Sequence, residues 1–261
     1  MKRLLLFAGA SEGRLLAEML AGEPVEITAC TATEYGRELL PTGPKCRVRA
    51  GRLTPAEMLA LMEEEGFDWV VDATHPYAVQ ASANIRKAAG AAGLTYLRLL
   101  RKPAAWASGT KEDTAFGTQE ALWLKDAEEA AKRLDKVPGR VLLTTGSKDL
   151  AVYTGLPDFA RRFYLRVLPL EESIRHCREL GFLPGHILAM QGPFSQELNE
   201  ALLRQWQIRI MITKESGSPG GFWEKAAAAG AAGVWLWILG RPAEEEGFTL
   251  TQMAEYLKER L

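Results

Sequence analysis

Leu4-Leu5-Leu6-Phe7-Ala8-Gly9-Ala10-Ser11-Glu12-Gly13-Arg14-Leu15-Leu16 is the stretch on which the architecture turns. A continuous apolar run passes through small residues into the start of an amphipathic segment. This reads as a buried strand feeding a helix, and the junction presents helix N–H groups where a phosphate can sit. The middle glycine of a G-x-G-x-x-G turn is absent, and Gly9 and Gly13 remain. Taken alone, the pattern is equally a tight turn that needs a glycine.

Outward from this point the same alternation recurs along the chain. Candidate strands are Arg3–Ala8, Val25–Thr31, Cys46–Arg49, Trp69–Asp72, Thr95–Leu100, Ala121–Leu124, Arg140–Thr145, Phe163–Leu168, His186–Met190, Arg209–Thr213 and Val234–Leu239. Leu, Val and Ile runs without strict alternation mark strands covered on both faces. Helix starts are legible at Thr54-Pro55-Ala56-Glu57, Asp126-Ala127-Glu128-Glu129 and Thr249-Leu250-Thr251-Gln252, each with a capping residue and an acid or amide three positions on. Strand–helix alternation of this kind predicts a parallel α/β fold. The strands are too many for one comfortable open sheet. Arg101 to Gly117 has the poorest periodicity and reads as a linker, so the chain divides into two doubly wound domains, residues 1–110 and 111–261. A closed eight-fold β/α barrel is the alternative, although barrels do not usually carry a glycine-rich loop after their first strand.

Composition narrows the function. The 261 residues carry 32 basic and 33 acidic side chains, a formal net charge of -1, which leaves no footprint for nucleic acid or an anionic membrane. Cys30, Cys46 and Cys177 are widely spaced and contain no CxxC pair, which argues against a disulfide framework or zinc ribbon and for a reducing compartment. No metal site is expected. The apolar start is interrupted by Ser11-Glu12-Gly13-Arg14 with no cleavage site behind it, and Val234–Leu239 is too short to span a bilayer. A soluble cytoplasmic protein is expected, a monomer or small homo-oligomer.

Candidate chemistry lies at strand ends, where ligands bind in open α/β sheets. The second strand runs into Thr31-Ala32-Thr33-Glu34-Tyr35-Gly36-Arg37, about where a dinucleotide's adenosine ribose lies. Glu34 would suit a 2′-hydroxyl and Arg37 a 2′-phosphate, so spacing alone leaves both open. Asp72-Ala73-Thr74-His75-Pro76-Tyr77-Ala78 puts a histidine, a threonine and a tyrosine behind the fourth strand. In the second half, Gly146-Ser147-Lys148 follows Thr144-Thr145, and Arg166 closes the next strand. Gln191-Gly192-Pro193-Phe194-Ser195 offers Ser195 as a helix cap, and the long loop Thr213-Lys214-Glu215-Ser216-Gly217 leads on to Lys225. Each is ordinary turn chemistry when taken singly. Lys148, Arg166, Lys214 and Lys225 at one edge together predict a positively lined cleft for an anionic ligand.

Thr33-Glu34-Tyr35-Gly36-Arg37, Asp72-Ala73-Thr74-His75-Pro76-Tyr77-Ala78, Thr145-Gly146-Ser147-Lys148, Gly192-Pro193-Phe194-Ser195 and Thr213-Lys214-Glu215-Ser216-Gly217 closely resemble the precorrin-6A reductase family of cobalamin biosynthesis, in order and over nearly the whole chain. The resemblance implies NADPH-dependent reduction of one double bond of a corrin-ring precursor, with or without cobalt. It also implies two Rossmann-like domains joined by an exchanged strand, without the standard dinucleotide fingerprint. On that basis Gly9, Ala10, Ser11, Glu12, Gly13, Thr33, Arg37 and Thr74 are assigned to the cofactor. The Gly146–Lys148 turn, Arg166, Gly192–Ser195, Lys214–Gly217 and Lys225 are assigned to a tetrapyrrole rich in carboxylates. His75 and Tyr77 are the candidate catalytic pair, with water as a third source of the proton. Two other classes stay in view: a cofactor-free two-domain tetrapyrrole enzyme of the uroporphyrinogen-III-synthase kind, and a non-enzymatic dinucleotide sensor.

Overall fold

The computed structural model describes residues 1–102, 115–116, 119–217, 220–242 and 246–261. All eleven candidate strands form, with ends within two residues of those predicted. In chain order they are β1 (Lys2–Phe7), α1 (Ser11–Leu20), β2 (Val25–Thr31), α2 (Glu34–Glu38), β3 (Cys46–Ala50), α3 (Pro55–Glu65), β4 (Trp69–Asp72), α4 (Val79–Ala91) and β5 (Thr95–Arg98). A short hairpin, β6 (Ala115–Phe116) and β7 (Gln119–Glu120), stands within and just beyond the predicted linker, most of which lies outside the described residues. There follow β8 (Leu122–Leu124), α5 (Ala127–Leu134), β9 (Arg140–Leu143), α6 (Phe159–Arg162), β10 (Phe163–Val167), α7 (Glu171–Glu179), β11 (Ile187–Ala189), α8 (Gln196–Gln205), β12 (Ile208–Lys214), α9 (Phe222–Ala232), β13 (Trp235–Leu239) and α10 (Leu250–Lys258).

The predicted caps are made. Thr54 and Glu57 form a reciprocal capping box before α3, Thr249 and Gln252 another before α10, and Asp126 accepts from the Glu129 N–H at 2.9 Å to start α5.

Two open parallel sheets result, which excludes the barrel. The first has the order β3-β2-β1-β4-β5, the second β11-β10-β9-β12-β13-β8. β1 lies centrally in the first sheet and β9 in the second, and the order reverses beside each, between β1 and β4 and between β9 and β12. These are the switch points at which doubly wound sheets open a crevice beyond their carboxyl ends. Leu4–Leu6 and Val141–Leu143 are wholly buried, as strands with helices on both faces require.

The sixth position of each sheet explains the connection. After β5 the chain leaves the first sheet and supplies β8, which pairs with β13 at the edge of the second. After β13 it returns, and Phe248 makes a parallel bridge to Leu99 beside β5. The Leu100 N–H donates to the Phe248 carbonyl and the Phe248 N–H to that of Arg98, both at 2.8 Å. Gly247 permits this approach, since a Cβ there would lie 2.5 Å from the Arg98 carbonyl oxygen. Each sheet thus takes its outermost partner from the chain leaving the other, which is the exchanged arrangement. Met253, Ala254 and Leu257 of α10 then enter the same core as Leu16 and Leu20 of α1.

The compact units are accordingly Met1–Lys102 with Pro242–Leu261, and Pro103–Arg241. This corrects the linear division into 1–110 and 111–261. The segment from Pro242 onward belongs to the first unit, because its apolar stripe has its buried face there. A purely local reading of periodicity sees the stripe but not the surface that receives it.

Candidate functional site

In the first unit the loops after β1 and β4 flank the switch point. Gly9 stands against Thr74: a Cβ at Gly9 would meet the Thr74 Cα at 3.1 Å. At Gly13 a Cβ would fall 2.8 Å from the Ala8 Cα, so only glycine lets α1 pack this closely on the end of β1. That is the packing task of the third fingerprint glycine. The N-cap of α1 is Ala10, with no side chain closing the helix end. Its first-turn N–H groups therefore face a cradle of small residues, which fits the phosphates of a dinucleotide.

The charged side chains of this edge are mutually satisfied. Arg101 donates from Nε to Glu12 Oε1 and from Nη2 to Glu12 Oε2, both at 2.9 Å, and from Nη2 to Ser11 Oγ at 3.0 Å. Glu12 and Arg101 are both buried. The Ser11 and Glu12 side chains are thus held by Arg101, and what they add to a cofactor seat is backbone. A second pair lies under the β4 loop. Asp72, fully buried, accepts from Arg98 Nη1 at 2.9 Å, from the Tyr96 hydroxyl at 2.8 Å and from the Thr74 N–H at 2.9 Å. Arg98 also reaches the Thr74 carbonyl at 3.1 Å, and the Thr74 hydroxyl lies 3.0 Å from that of Ser82 on α4. Burial and the Asp72 carboxylate push the Tyr96 phenol up, so it serves as a hydrogen-bond donor.

This network sets the platform from which His75 and Tyr77 project. Both are half-buried, with ring centroids 5.5 Å apart, and His75 Nδ1 accepts from the Tyr77 N–H at 3.3 Å. A neutral imidazole bonded in this way carries its proton on Nε2. Beyond β2, Thr33 caps α2 through the Gly36 N–H at 3.1 Å, and Arg37 is exposed, 3.5 Å from Glu34.

In the second unit the predicted residues also gather at the carboxyl ends of the strands. Gly146, with φ of +83°, turns the chain after β9, and the Lys148 side chain is exposed. Ser195 caps α8 through the Leu198 N–H, as its position predicted. Arg166 is buried near the end of β10, with its guanidinium 4.3 Å from the centre of the Phe194 ring and Nη1 donating to Asn199 Oδ1 at 2.7 Å. Burial lowers its pKa to about 10.

The residues after β12 have separate fates. Lys214 pairs with Asp149 at 3.1 Å. Glu215 is 1% exposed and held by Arg241, and its N–H donates to the Leu239 carbonyl. The side chain of Glu215 is thus committed to the framework, which alters its assignment as a ligand contact. Ser216 donates to the Gly220 carbonyl at 3.3 Å, and Gly217 takes a φ of +67°. Lys225 is 7% exposed, one turn into α9; burial, with Arg166 beside it, pushes its pKa down to about 7 against the pull of Glu224.

Sequence reasoning passed over Arg98, Arg101, Tyr96, Ser82, Asn199 and Arg241. An arginine ending a buried strand, as Arg98 does, was the available signal. The others carry no pattern until their partners are known. Among the described residues no group of three or more His, Cys, Asp or Glu side chains is arranged for a metal ion, and no helix is long and apolar enough to cross a membrane.

Two doubly wound sheets with exchanged outer strands, each with its candidate loops at the switch point, define a two-domain Rossmann-type protein. Its relatives narrow the class. The model of the precorrin-6x reductase family CbiJ/CobK matches residues 3–259. The chain is 38% identical over 244 residues to the cobalt-precorrin-6A reductase of Salmonella typhimurium, covering 92% of this chain and 87% of that protein. It is 34% identical over 254 residues to the cobalt-precorrin-6A reductase of Priestia megaterium, covering 97% and 95%. The precorrin-6A reductase of Mycobacterium tuberculosis is 34% identical over 244 residues, covering 93% and 90%. The solved structure of a CobK precorrin-6A reductase superposes with a TM-score of 0.74 at 26% identity, covering 99% of this chain and 97% of that one. The chain belongs to the precorrin-6x reductase family, an oxidoreductase family whose reductions call for a nicotinamide cofactor.

Proposed function

We propose that this chain reduces one ring double bond of a corrin precursor, precorrin-6A or its cobalt form, with NADPH as the reductant, in the cytoplasm. The observation that carries the reading is the match to the reductase family along almost the entire chain, residues 3–259, so that both sheets and all strand-end loops are included. The first unit takes the cofactor: the α1 N-terminus receives its phosphates, and Arg37 beyond β2 selects the 2′-phosphate. The second unit takes the substrate's carboxylates through its basic edge.

Bound NADPH supplies the hydride, so the protein has two remaining tasks: to position two large ligands and to deliver one proton. The Asp72–Arg98–Thr74 network fixes the β4 loop, and the loop holds His75 with its proton on Nε2. Tyr77 sets the tautomer through its N–H. In this reading the His75 Nε2–H orients the water that gives up the proton, and the buried ion pairs behind it keep its backbone from shifting as ligands come and go.

The test is anaerobic incubation of the protein with NADPH and each substrate form. The expected result is one NADPH oxidised per precursor reduced. NADPH binding without oxidation in either case would favour a sensor, and an absence of NADPH binding would favour a cofactor-free tetrapyrrole enzyme.

A further inference from the structure

Three charged side chains of the second unit are buried among the described residues: Arg166, Glu215 and Lys225. Glu215 has its arginine. Arg166 and Lys225 have no carboxylate partner among the described residues, and Lys225 has no side-chain hydrogen bond there either.

The fold brings these two cations to one place. Leu142, Tyr164 and Met211 face the cluster under α8 and α9. Arg166 lies two residues beyond Tyr164 on β10 and so points to the same face, near the strand's carboxyl end. Phe222, Lys225, Ala226 and Ala229 form the inward stripe of α9, which begins at the carboxyl edge of β12. Lys225 therefore enters from above the strand ends, toward the side on which Arg166 emerges. The charges bearing on Lys225 are Arg166 from β10 and Glu224 from its own helix. Asn199 of α8 braces the guanidinium at one nitrogen, with its own amide anchored on the Ser195 carbonyl at 2.7 Å, and Phe194 covers a face. A guanidinium has five N–H donors, and Asn199 takes one of them.

Two like charges held in an apolar setting without a counter-ion cost stability, and an arriving anion removes that cost. Lys214 and Lys148 differ from this pair, one being tied to Asp149 and the other exposed. We propose that Arg166 and Lys225, braced by Asn199 and Phe194, form a closed socket for one carboxylate arm of the substrate. The identity of that arm rests on the reductase reading; the socket's taste for a carboxylate does not. Filling it draws a proton onto Lys225, because the bound anion favours the ammonium form.

The experiment uses the intact protein with ¹³C-labelled lysine, the Lys225 resonance being assigned by its loss in Lys225→Met. The probe is propionate, with chloride at equal ionic strength as control and inorganic phosphate in parallel. Lys225 should titrate near 7 in chloride. Propionate should raise its midpoint by about one unit or more, a tenfold gain for the charged form. Arg166→Met should abolish that rise while Lys225 still titrates. An unmoved midpoint in propionate, or an equal rise in Arg166→Met, overturns the socket. A response to phosphate alone overturns it in favour of a phosphate seat. NADPH oxidation with the tetrapyrrole, measured on the same preparation, separates the two proposals. Turnover without a propionate effect sinks the socket alone, and a propionate effect without turnover sinks the reductase reading alone.

Discussion

The two carboxyl edges of this protein are built from the same topology but differ in how their buried charges are balanced. At the first, every buried charge among the described residues has its counterpart: Glu12 with Arg101, and Asp72 with Arg98. At the second, Arg166 and Lys225 are buried with each other as neighbours. A neutralised edge presents backbone donors and a fixed geometry, which suits a cofactor whose phosphates are bound by N–H groups. An under-neutralised edge is incomplete without an anion, which suits a substrate bearing carboxylates. On the proposed reading, one fold used twice separates cofactor from substrate through ion pairing.

The largest effect expected is on turnover. If the neutralised edge also orients the water that gives up the proton, His75→Ala should slow turnover by roughly 10²–10⁴-fold, with melting temperature and NADPH affinity almost unchanged. A small loss in turnover joined to weaker tetrapyrrole binding would reduce His75 to a positioning residue. Early melting with normal activity per folded molecule would make it structural.

Stability tests the contrast most directly. Asp72→Ala takes from the buried Arg98 the carboxylate that balances its charge and strips Tyr96 and Thr74 of an acceptor, at an expected cost of about 3–5 kcal/mol in denaturant unfolding. Lys225→Met removes a buried amine that has no hydrogen-bond or ion-pair partner among the described residues and should hold or raise stability at neutral pH. Comparable losses in both variants would show that the two edges are charged alike.

Arg37→Ala should weaken NADPH by about 1.5–3 kcal/mol and leave NADH nearly untouched, as read by fluorescence titration of each cofactor. Equal losses would take Arg37 away from the 2′-phosphate.

The most gradual effect is a slope. The Lys225 pKa of about 7 in the folded protein lies below the unfolded lysine value of about 10.4. Between those limits the unfolded chain holds a proton that the native one has released, so stability should rise with pH from about 7 upward. Unfolding followed across that range should show this slope in the wild type and not in Lys225→Met.

The amino-acid sequence alone determined the strands, the caps and the class of fold. Continuous apolar runs, Thr54 with Glu57, and Thr249 with Gln252 report burial and hydrogen bonding within a few residues of themselves, and these local signals survive in any environment. It also marked both edges that the proposed function uses, since loops such as Asp72–Ala78 and Thr213–Gly217 carry more chemistry than a turn requires. The tertiary structure decided the rest. Glu12 and Arg101 lie 89 residues apart in the chain, and Lys214 and Asp149 lie 65 apart. Whether a lysine is paired, exposed or bare depends on partners at such distances, so Lys148, Lys214 and Lys225 look equivalent until the chain is folded. The same holds for Phe248 and α10, whose return to the first sheet follows from where an unfilled edge and an open core remain, and no short stretch of sequence records that.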